Sequence, residues 1–224
     1  MNTARLLPRS RAVLYRGSGF DGDANQQIWS NTMSTVPIRR ISPEEYLALE
    51  RRAESKSEFY NGEIFAMAGA SREHNLIVTN LVGELRQQLK DKPCEVYPSE
   101  MRTRIPNGPY VYPDVVIVCS EPQFEDKGLD TLTNPLVVIE VLSDSTADFD
   151  RGTKFRYYRR IESLREYIVI DQTEPFVERH SRGAGDVWQL EEIAGLSVML
   201  KLESSGCTLS LADIYLKVAF PPPK

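Results

Sequence analysis

Hydrophobic positions along the chain follow two different periods, and the change of period predicts helices mixed with strands. Apolar residues recur at helical spacing over residues 76–89, after Ser71, which can cap a helix. A shorter helix is predicted over residues 43–54, where Ser42 begins a proline-containing capping box. The chain therefore contains at least two helices that can pack against a sheet.

Short apolar runs rich in β-branched residues predict the strands. Asn61-Gly62, between residues 58–60 and 63–67, is typical of a β-hairpin. Further strands are predicted over residues 94–97, 101–105, 110–119, 136–142, 166–171, 176–180, 187–193 and 197–202, with helices over 147–160 and 209–215 and a polar loop over 120–134. This order predicts one α/β or α+β domain with a mixed central β-sheet flanked by helices.

The first 36 residues lack a sustained hydrophobic period. Glycines, arginines and other polar residues are scattered through them, so we expect a disordered or loosely ordered N-terminal arm in residues 1–36. Met33 could serve as an alternative initiator. The folded domain is expected over residues 37–220.

The composition is that of an ordinary globular protein. Of the 224 residues, 41% are hydrophobic and 26% are charged, and no apolar run approaches the roughly 18–20 residues of a membrane helix. No secretory signal is expected, since the N-terminus has no apolar core region. The three widely spaced cysteines, Cys94, Cys119 and Cys207, argue against a disulfide framework and a zinc site, and we expect a cytoplasmic protein.

The net charge of −5 argues against a basic protein that coats nucleic acid nonspecifically. The net charge does not exclude an enzyme that binds nucleic acid through a small patch, because metal ions can offset the negative charge of carboxylates at its site. Composition alone does not separate the two classes.

Two carboxylates stand beside or within apolar strands. Asp114 precedes the run 115–118, and Glu140 interrupts the run 137–142. Burial would cost each carboxylate its hydration unless it is paired or binds a cation. The alternatives are a turn aspartate at a strand start for Asp114, and an edge strand with a solvent-facing side chain for Glu140.

Asp148, Asp150 and Lys154 lie on the following predicted helix. Asp150 and Lys154 are four residues apart and share a face, so an exposed ion pair is one interpretation. The other is that the helix returns Lys154 toward the two carboxylates. Two carboxylates and a lysine fit Mg²⁺-dependent hydrolysis of a phosphodiester, in which the metal activates a bound water. A zinc hydrolase is disfavoured, because the only histidines are His74 and His180, and they form no HExxH-like pair.

Several motifs occur in an order that resembles a known family. They are Pro113-Asp114, Glu140-Val141-Leu142-Ser143, Asp150-Arg151-x-x-Lys154, residues 58–64, His74, Ser143-x-Ser145-Thr146 and residues 166–171. The chain resembles, over about residues 41–215, the Uma-type family of the restriction-endonuclease-like (PD-(D/E)XK) superfamily, whose members are assigned as endonucleases. The resemblance implies a mixed β-sheet flanked by helices and a nucleic-acid substrate, with DNA expected.

The resemblance also implies roles for individual residues. Asp114 and Glu140 would be metal ligands for Mg²⁺, with Mn²⁺ able to substitute, and Lys154 and Glu58 would complete the catalytic set. The lysine that the superfamily usually carries two residues after the glutamate is Leu142 here, and Lys154 on the next helix fills its role. Superfamily members commonly pair, so a homodimer is expected.

Two other functions stay open at the level of sequence. One is a catalytically silent nucleic-acid-binding or regulatory module that retains the nuclease fold. The other is a structural homodimer whose carboxylates bind a stabilising cation. His74 is interpreted as a partly buried structural histidine or as a phosphate contact. Arg102 and Arg104 are interpreted as an exposed pair or as contacts to a nucleic-acid backbone.

Overall fold

The structure is a computed structural model that describes residues 40–143, 147 and 149–222. Several features singled out in the sequence lie outside these residues: the expected N-terminal arm with Met33, the first residues of the expected domain, Ser145-Thr146 and Asp148. The candidate residues Glu58, Asp114, Glu140 and Lys154 all lie within them.

Helices and strands alternate along the described chain. The helical segments are α1 (Pro43–Glu50), α2 (Arg72–Leu89), a π-helical segment (Phe149–Lys154) that runs directly into α3 (Phe155–Tyr158), a 3₁₀ turn (Ala184–Asp186) and α4 (Leu211–Ile214). The strands are β1 (Ser57–Tyr60), β2 (Glu63–Ala66), β3 (Glu95–Pro98), β4 (Arg102–Arg104), β5 (Tyr110–Val111), β6 (Val115–Val118), β7 (Thr131–Leu132), β8 (Val137–Val141), β9 (Glu166–Ile170), β10 (Phe176–Arg182), β11 (Trp188–Ala194), β12 (Met199–Leu202) and β13 (Cys207–Ser210).

Within the described residues, the strands assemble into two larger sheets and one separate hairpin. The smaller sheet has the order β2-β1-β5-β4-β7, and the larger has the order β11-β10-β9-β8-β6-β3. Strands β8 and β9 are parallel, while β8 and β6 are antiparallel, so the larger sheet is mixed. The hairpin pairs β12 with β13. The expected α+β fold with a mixed central sheet is confirmed.

Local sequence signals explain how the first elements begin and turn. Ser42 and Glu45 form a reciprocal capping box at α1, and Ser71 accepts a hydrogen bond from His74 N at the start of α2. Asn61 and Gly62 both adopt positive φ, as a two-residue type I′ hairpin requires. The predicted helix over residues 43–54 ends earlier, at Glu50.

The predicted strand over residues 110–119 is broken into β5 and β6, which belong to different sheets. The break falls at Pro113, which has no N–H to donate to a strand ladder. Asp114 follows the break and precedes β6 directly. It therefore lies where the chain leaves the smaller sheet and enters the larger one.

Three other predicted boundaries were wrong in part. Residues 120–134 are not loop throughout, since they contain β7, which extends the smaller sheet beside β4. Residues 207–210 form β13, so the last helix starts only at Leu211. Residues 149–154 adopt the wider π-helical turn before α3, instead of starting a regular α-helix. Each outcome depends on pairing or packing with distant residues, which a local pattern does not encode.

The core has one cluster on each face of the larger sheet. Val137, Ile139 and Val141 of β8 join the cluster that contains α2, whereas Val138 joins the cluster that contains Tyr158 of α3. Side chains alternate between faces along a strand, so Glu140 points to the face covered by α3. No helix in the described ranges is long and apolar enough to cross a membrane.

The spacing of the cysteines argued against a disulfide framework, yet the structure contains one disulfide. Cys94 and Cys119 are joined by a disulfide, with their Cα atoms 3.9 Å apart. Antiparallel pairing of β3 with β6 sets Glu95 opposite Val118, and this register brings the two cysteines together at the ends of the strands. Cys207 is a buried free cysteine.

Candidate active site

Glu140 and Lys154 form a buried ion pair at the centre of the larger sheet. Glu140 lies on β8, which is flanked by β9 and β6, so the edge-strand interpretation was wrong. Only 3% of Glu140 and 7% of Lys154 is exposed, and Lys154 Nζ lies 2.9 Å from Glu140 Oε1. The interpretation of Lys154 as part of an exposed surface pair was therefore also wrong.

Lys154 is shared among several carboxylates. Its Nζ lies 3.4 Å from Glu58 Oε1 and 3.6 Å from Asp150 Oδ1, in addition to its contact with Glu140. Asp150 is itself buried, at 4% exposure. The π-helical segment that ends at Lys154 thus brings both charged side chains inward, and one ammonium group faces three carboxylates.

Glu58 reaches this cluster from the smaller sheet. It lies on β1, which pairs with β5 at Phe59 and Tyr110. Its Oε1 accepts a 3.1 Å hydrogen bond from Tyr112 N, and its Oε2 accepts a 2.9 Å hydrogen bond from the Tyr60 hydroxyl. Both carboxylate oxygens are held, so the orientation of Glu58 toward Lys154 is fixed.

Asp114 lies beside Glu140 at the end of β6. The register pairs Val115 with Ile139, and one further step sets Asp114 opposite Glu140. Asp114 Oδ2 accepts a 2.8 Å hydrogen bond from Val141 N, which ties the carboxylate to β8. The structure therefore brings all four sequence-predicted site residues, Glu58, Asp114, Glu140 and Lys154, into one region.

His74 also reaches this region. It lies in the first turn of α2, and its Nε2 is 3.2 Å from Asp114 Oδ2, with 13% of each side chain exposed. The ring contacts a candidate metal ligand, and this contact leaves both interpretations made from sequence, a structural histidine and a phosphate contact, as predictions. Asp114 Oδ2 thus contacts both the backbone N–H of Val141 in β8 and the ring of His74 in α2.

The charges of the cluster shift the pKa values of its two central groups. Burial raises the pKa of Glu140 well above its ordinary value; Lys154 opposes the shift, whereas Asp150, Asp114 and Glu58 add to it. Burial alone would lower the pKa of Lys154, but the carboxylates of Glu140 and Glu58 outweigh it and raise that pKa. Glu140 and Lys154 thus perturb each other's pKa directly across their 2.9 Å contact.

The donor set fits a hard divalent cation. Of the hydrogen bonds made by the described residues, none goes to Asp114 Oδ1 or Glu140 Oε2, so each candidate ligand keeps one oxygen for a metal. No group of three or more His, Cys, Asp or Glu in the described ranges is arranged to hold a metal ion. Two carboxylates still suffice for Mg²⁺, which binds through one or two of them and completes its shell with water and phosphate.

Two tyrosines of the cluster escaped prediction from sequence. The Tyr158 hydroxyl donates a 2.8 Å hydrogen bond to Glu140 Oε1, and Tyr60 binds Glu58 as described above. The position of Tyr158, four residues after Lys154, was the available signal, because residues at that spacing share a helix face. Buried tyrosines usually find a partner for the hydroxyl, so a tyrosine on the face of a candidate lysine can be expected to contact the same carboxylate.

Arg102 and Arg104 do not form an exposed pair, so that interpretation was wrong, while contact of Arg104 with a nucleic-acid backbone stays a prediction. Arg102 is buried, with its guanidinium 2.9 Å from Asp130 Oδ1 and hydrogen-bonded to the Tyr112 hydroxyl. Arg104 stacks on the ring of Tyr110 and lies 3.4 Å from Glu125. Both arginines stabilise the smaller sheet.

Comparison with protein families identifies related sequences over most of the chain. The Uma2 family, described as "Putative restriction endonuclease", matches residues 43–212. Two relatives come from Synechocystis sp. (strain ATCC 27184 / PCC 6803 / Kazusa), and both are described as uncharacterized. The protein sll1609 is 41% identical over 73% of this chain and 93% of its own length. The protein slr1290 is 33% identical over 83% of this chain and 97% of its own length.

One solved structure shares the fold. It is a crystal structure of a "putative nuclease belonging to DUF820" from Anabaena variabilis ATCC 29413. The TM-score is 0.66 at 18% sequence identity, and the match covers 78% of this chain and 97% of the other. At this identity the likeness establishes the arrangement of helices and strands.

Proposed function

The chain belongs to the Uma2 family of restriction-endonuclease-like proteins, and from this premise we propose that it is an Mg²⁺-dependent endonuclease that hydrolyses phosphodiester bonds of DNA. The observation that carries the proposal is the buried pair of Lys154 and Glu140 beside Asp114. Burying an ion pair in a central strand costs several kcal/mol per ion, roughly, before the pair recovers it. Binding of a metal ion and a charged substrate at this site would explain why these charged side chains are buried.

Asp114 and Glu140 would hold the metal through the oxygens that accept no hydrogen bond from the described residues, with Mn²⁺ able to replace Mg²⁺. When bound, the metal supplies a water of lowered pKa and offsets charge on the phosphate. Hydrogen bonds from Val141 N to Asp114 and from Tyr158 to Glu140 orient the two carboxylates.

Lys154 is assigned to charge stabilisation. Its Nζ is held 2.9 Å from Glu140, beside the expected metal, so the ammonium group would offset negative charge that develops at the scissile phosphate. Glu58 acts as a positioning residue, because it holds Nζ from the opposite sheet at 3.4 Å. Lys154 is thus positioned by Glu58 of the smaller sheet and Glu140 of the larger sheet.

The decisive experiment is DNA cleavage with matched variants. Supercoiled plasmid and single-stranded DNA are incubated with Mg²⁺, Mn²⁺ or EDTA and with wild type, Asp114→Asn or Lys154→Met. Glu166→Gln is the control, since Glu166 is also buried in the larger sheet but binds Ser204, away from this cluster. We expect cleavage by wild type and the control with either metal, and at least 100-fold less by the two site variants.

Cleavage that persists in EDTA, or that survives both site substitutions, would contradict the proposal. Binding of DNA and metal without cleavage of any substrate would instead favour the silent module. The proposal includes a homodimer, as superfamily members commonly pair, and sedimentation velocity on the full chain tests it. If the protein is a monomer and still cleaves DNA, the homodimer is contradicted and the proposed nuclease activity is not.

A further inference from the structure

A cluster of exposed arginines follows Lys154 on the face of the larger sheet that carries the candidate site. Arg156, Arg159 and Arg160 belong to α3 and the turn after it, and Arg165 precedes β9. All four are exposed. Of the ion pairs between described residues, none involves these four side chains. Within the described residues, three of them each donate one hydrogen bond, Arg156 to Thr153 Oγ1, Arg160 to Asn107 O and Arg165 to Glu162 O. Most of their N–H groups can therefore still contact an outside partner.

Aromatic rings hold several of these guanidinium groups in place. Arg159 lies 5.3 Å from the ring centre of Phe155, and Arg160 lies 4.9 Å from that of Tyr157. Behind them, Arg182 stacks on Trp188 at 4.9 Å, and Trp188 packs edge-on against Phe155 at 5.2 Å. Stacking fixes the plane of a guanidinium without using its N–H donors. Arg182 spends two of its donors on the carbonyls of Arg159 and Glu162, which supports the turn after α3, and Arg160 spends one on Asn107 O. The remaining donors of the exposed arginines favour contacts with phosphate.

The charge of this surface is opposite to that of the whole chain. Arg156, Arg159 and Arg160 line a shallow groove together with Asp186 and Trp188. Including Arg165 and Arg182, five arginines stand against Glu162 and Asp186, the two carboxylates that interact with Arg182, which leaves three positive charges in excess. In a chain of net charge −5, such an excess on one face attracts a polyanion locally.

The groove and the candidate site share one helical segment, which carries Lys154 and Tyr158 on its buried side and the arginines on its exposed side. Arg160 is six residues beyond Lys154, which corresponds to about 9 Å along a helix and to about three nucleotide steps of one strand. Tyr157 connects the two regions, because its hydroxyl accepts a hydrogen bond from Asn61 in the hairpin turn after Glu58. A strand whose phosphate sits at Lys154 would thus pass over α3.

We infer that Arg156, Arg159, Arg160 and Arg165 form the surface, here called the arginine track, that holds the sugar–phosphate backbone next to the cleaved bond. The inference rests on the proposed nuclease function and names how its substrate is held. Phosphate contacts position a nucleic acid without reading its bases, so the track supplies affinity and placement rather than sequence specificity.

The test measures binding apart from cleavage. A labelled 20-base single strand and the matching duplex are titrated with the full chain in EDTA, over a range of KCl concentrations. The test variant is Arg156→Gln with Arg159→Gln. The control is Arg86→Gln with Lys90→Gln, which removes two exposed cationic groups from the end of α2, on the opposite face of the larger sheet.

We expect the test variant to bind about 10-fold more weakly at 0.1 M KCl. Its plot of log K against log[KCl] should be shallower by about 1.4 for the single strand and about 1.8 for the duplex, since each phosphate contact contributes about 0.7 or 0.9. The control should match wild type. Equal affinity and slope in wild type and test variant, or no binding by wild type, would overturn the arginine track.

Cleavage assays distinguish failure of this inference from failure of the proposed function. Wild type that cleaves DNA, with an unchanged test variant, would refute the track and leave the nuclease proposal standing. Wild type that binds through the track but cleaves nothing with Mg²⁺ or Mn²⁺ would support the track and refute the nuclease. Lys154→Met should abolish cleavage and lower the salt slope by no more than the one phosphate contact it removes, about 0.7 for the single strand or about 0.9 for the duplex.

Discussion

The hydroxyl of Tyr158 and the ammonium group of Lys154 converge on the same oxygen, Glu140 Oε1, at 2.8 and 2.9 Å. The two donors lie four residues apart and approach the carboxylate from one helical segment. Glu140 therefore has one oxygen that is doubly held and one that accepts no hydrogen bond from the described residues. This asymmetry orients the carboxylate and supports the first two predictions.

Tyr158→Phe should lower the free energy of unfolding by about 1.5–3 kcal/mol, the usual contribution of a hydrogen bond to a charged group. The phenyl ring still fills the buried space, so loss of the hydroxyl is the main change. Urea unfolding measures the effect. Tyr97→Phe is the control, since its hydroxyl binds Glu95 at the surface, and it should change stability by less than about 0.5 kcal/mol. Equal effects of the two substitutions would show that the contact with Glu140 contributes nothing.

Lys154→Met should lower the free energy of unfolding by about 3–5 kcal/mol, because it removes the cation that lies against the buried carboxylate of Glu140 and against Glu58. Adding Glu140→Gln should restore at least about 1 kcal/mol, since it removes one of those charges. A double-mutant cycle measures this coupling. In the control cycle, Lys154→Met and Glu166→Gln should be additive within about 0.5 kcal/mol. Additivity in both cycles would argue against an energetic link between Lys154 and Glu140.

His74 should act on the metal through Asp114. Removing a group that orients a ligand typically weakens metal binding about 10–100-fold. We expect His74→Leu to raise the Mg²⁺ concentration for half-maximal cleavage in that range, with a smaller change in the rate at saturating metal. His74→Gln should recover part of the loss, because its amide can still donate to Asp114. An unchanged Mg²⁺ dependence in His74→Leu would assign the histidine to packing alone.

The stability contributed by Asp130 should depend on pH. Hydrogen bonds from Arg51, and the nearby charge of Arg102, hold the pKa of Asp130 well below its ordinary value. A carboxylate with a depressed folded pKa stabilises the protein above its unfolded pKa of about 3.9, and this contribution is lost as the pH falls toward the folded pKa.

Asp130→Asn should therefore destabilise the protein at pH 7, by about 1–2 kcal/mol, since it leaves the buried Arg102 without this partner while Asp130 itself is partly exposed. The difference from wild type should shrink below about pH 4. Urea unfolding at pH 7 and pH 3 measures both values. Asp91→Asn, at an exposed pair with Lys90, is the control and should have little effect at either pH. A difference that is the same at both pH values would contradict the prediction.

Patterns that are local in the sequence predicted much of the fold. The capping box at Ser42, the Asn61-Gly62 turn and the apolar face of α2 all depend on neighbouring residues, and the structure contains each of them. The disulfide between Cys94 and Cys119 depends instead on the register of β3 and β6, which the sequence does not specify. The π-helical turn before α3 escaped prediction because its wider winding follows no regular apolar period.

The candidate site could be predicted only where a pattern in the sequence marks its residues. Glu140 could be identified because it interrupts an apolar strand. Lys154 could be identified only because it belongs to a motif of the family. In the sequence, Arg102 and Arg104 resemble a basic patch. In the structure, Arg102 pairs with Asp130 and Arg104 stacks on Tyr110, and these contacts between distant residues cannot be seen in the sequence. The arginine track was missed because its residues lie on a short, irregular segment with no amphipathic pattern.

The break at Pro113 has a consequence for how the site assembles. Glu58 comes from the smaller sheet and Glu140 from the larger, and Asp114 lies on the link between them. The hydrogen bond from Tyr112 N to Glu58, which spans 54 residues of sequence, forms only after distant parts of the chain have met. Neither sheet alone carries the complete cluster. Recovery of activity during refolding would therefore report the docking of the two sheets, later than any signal from the secondary structure of either.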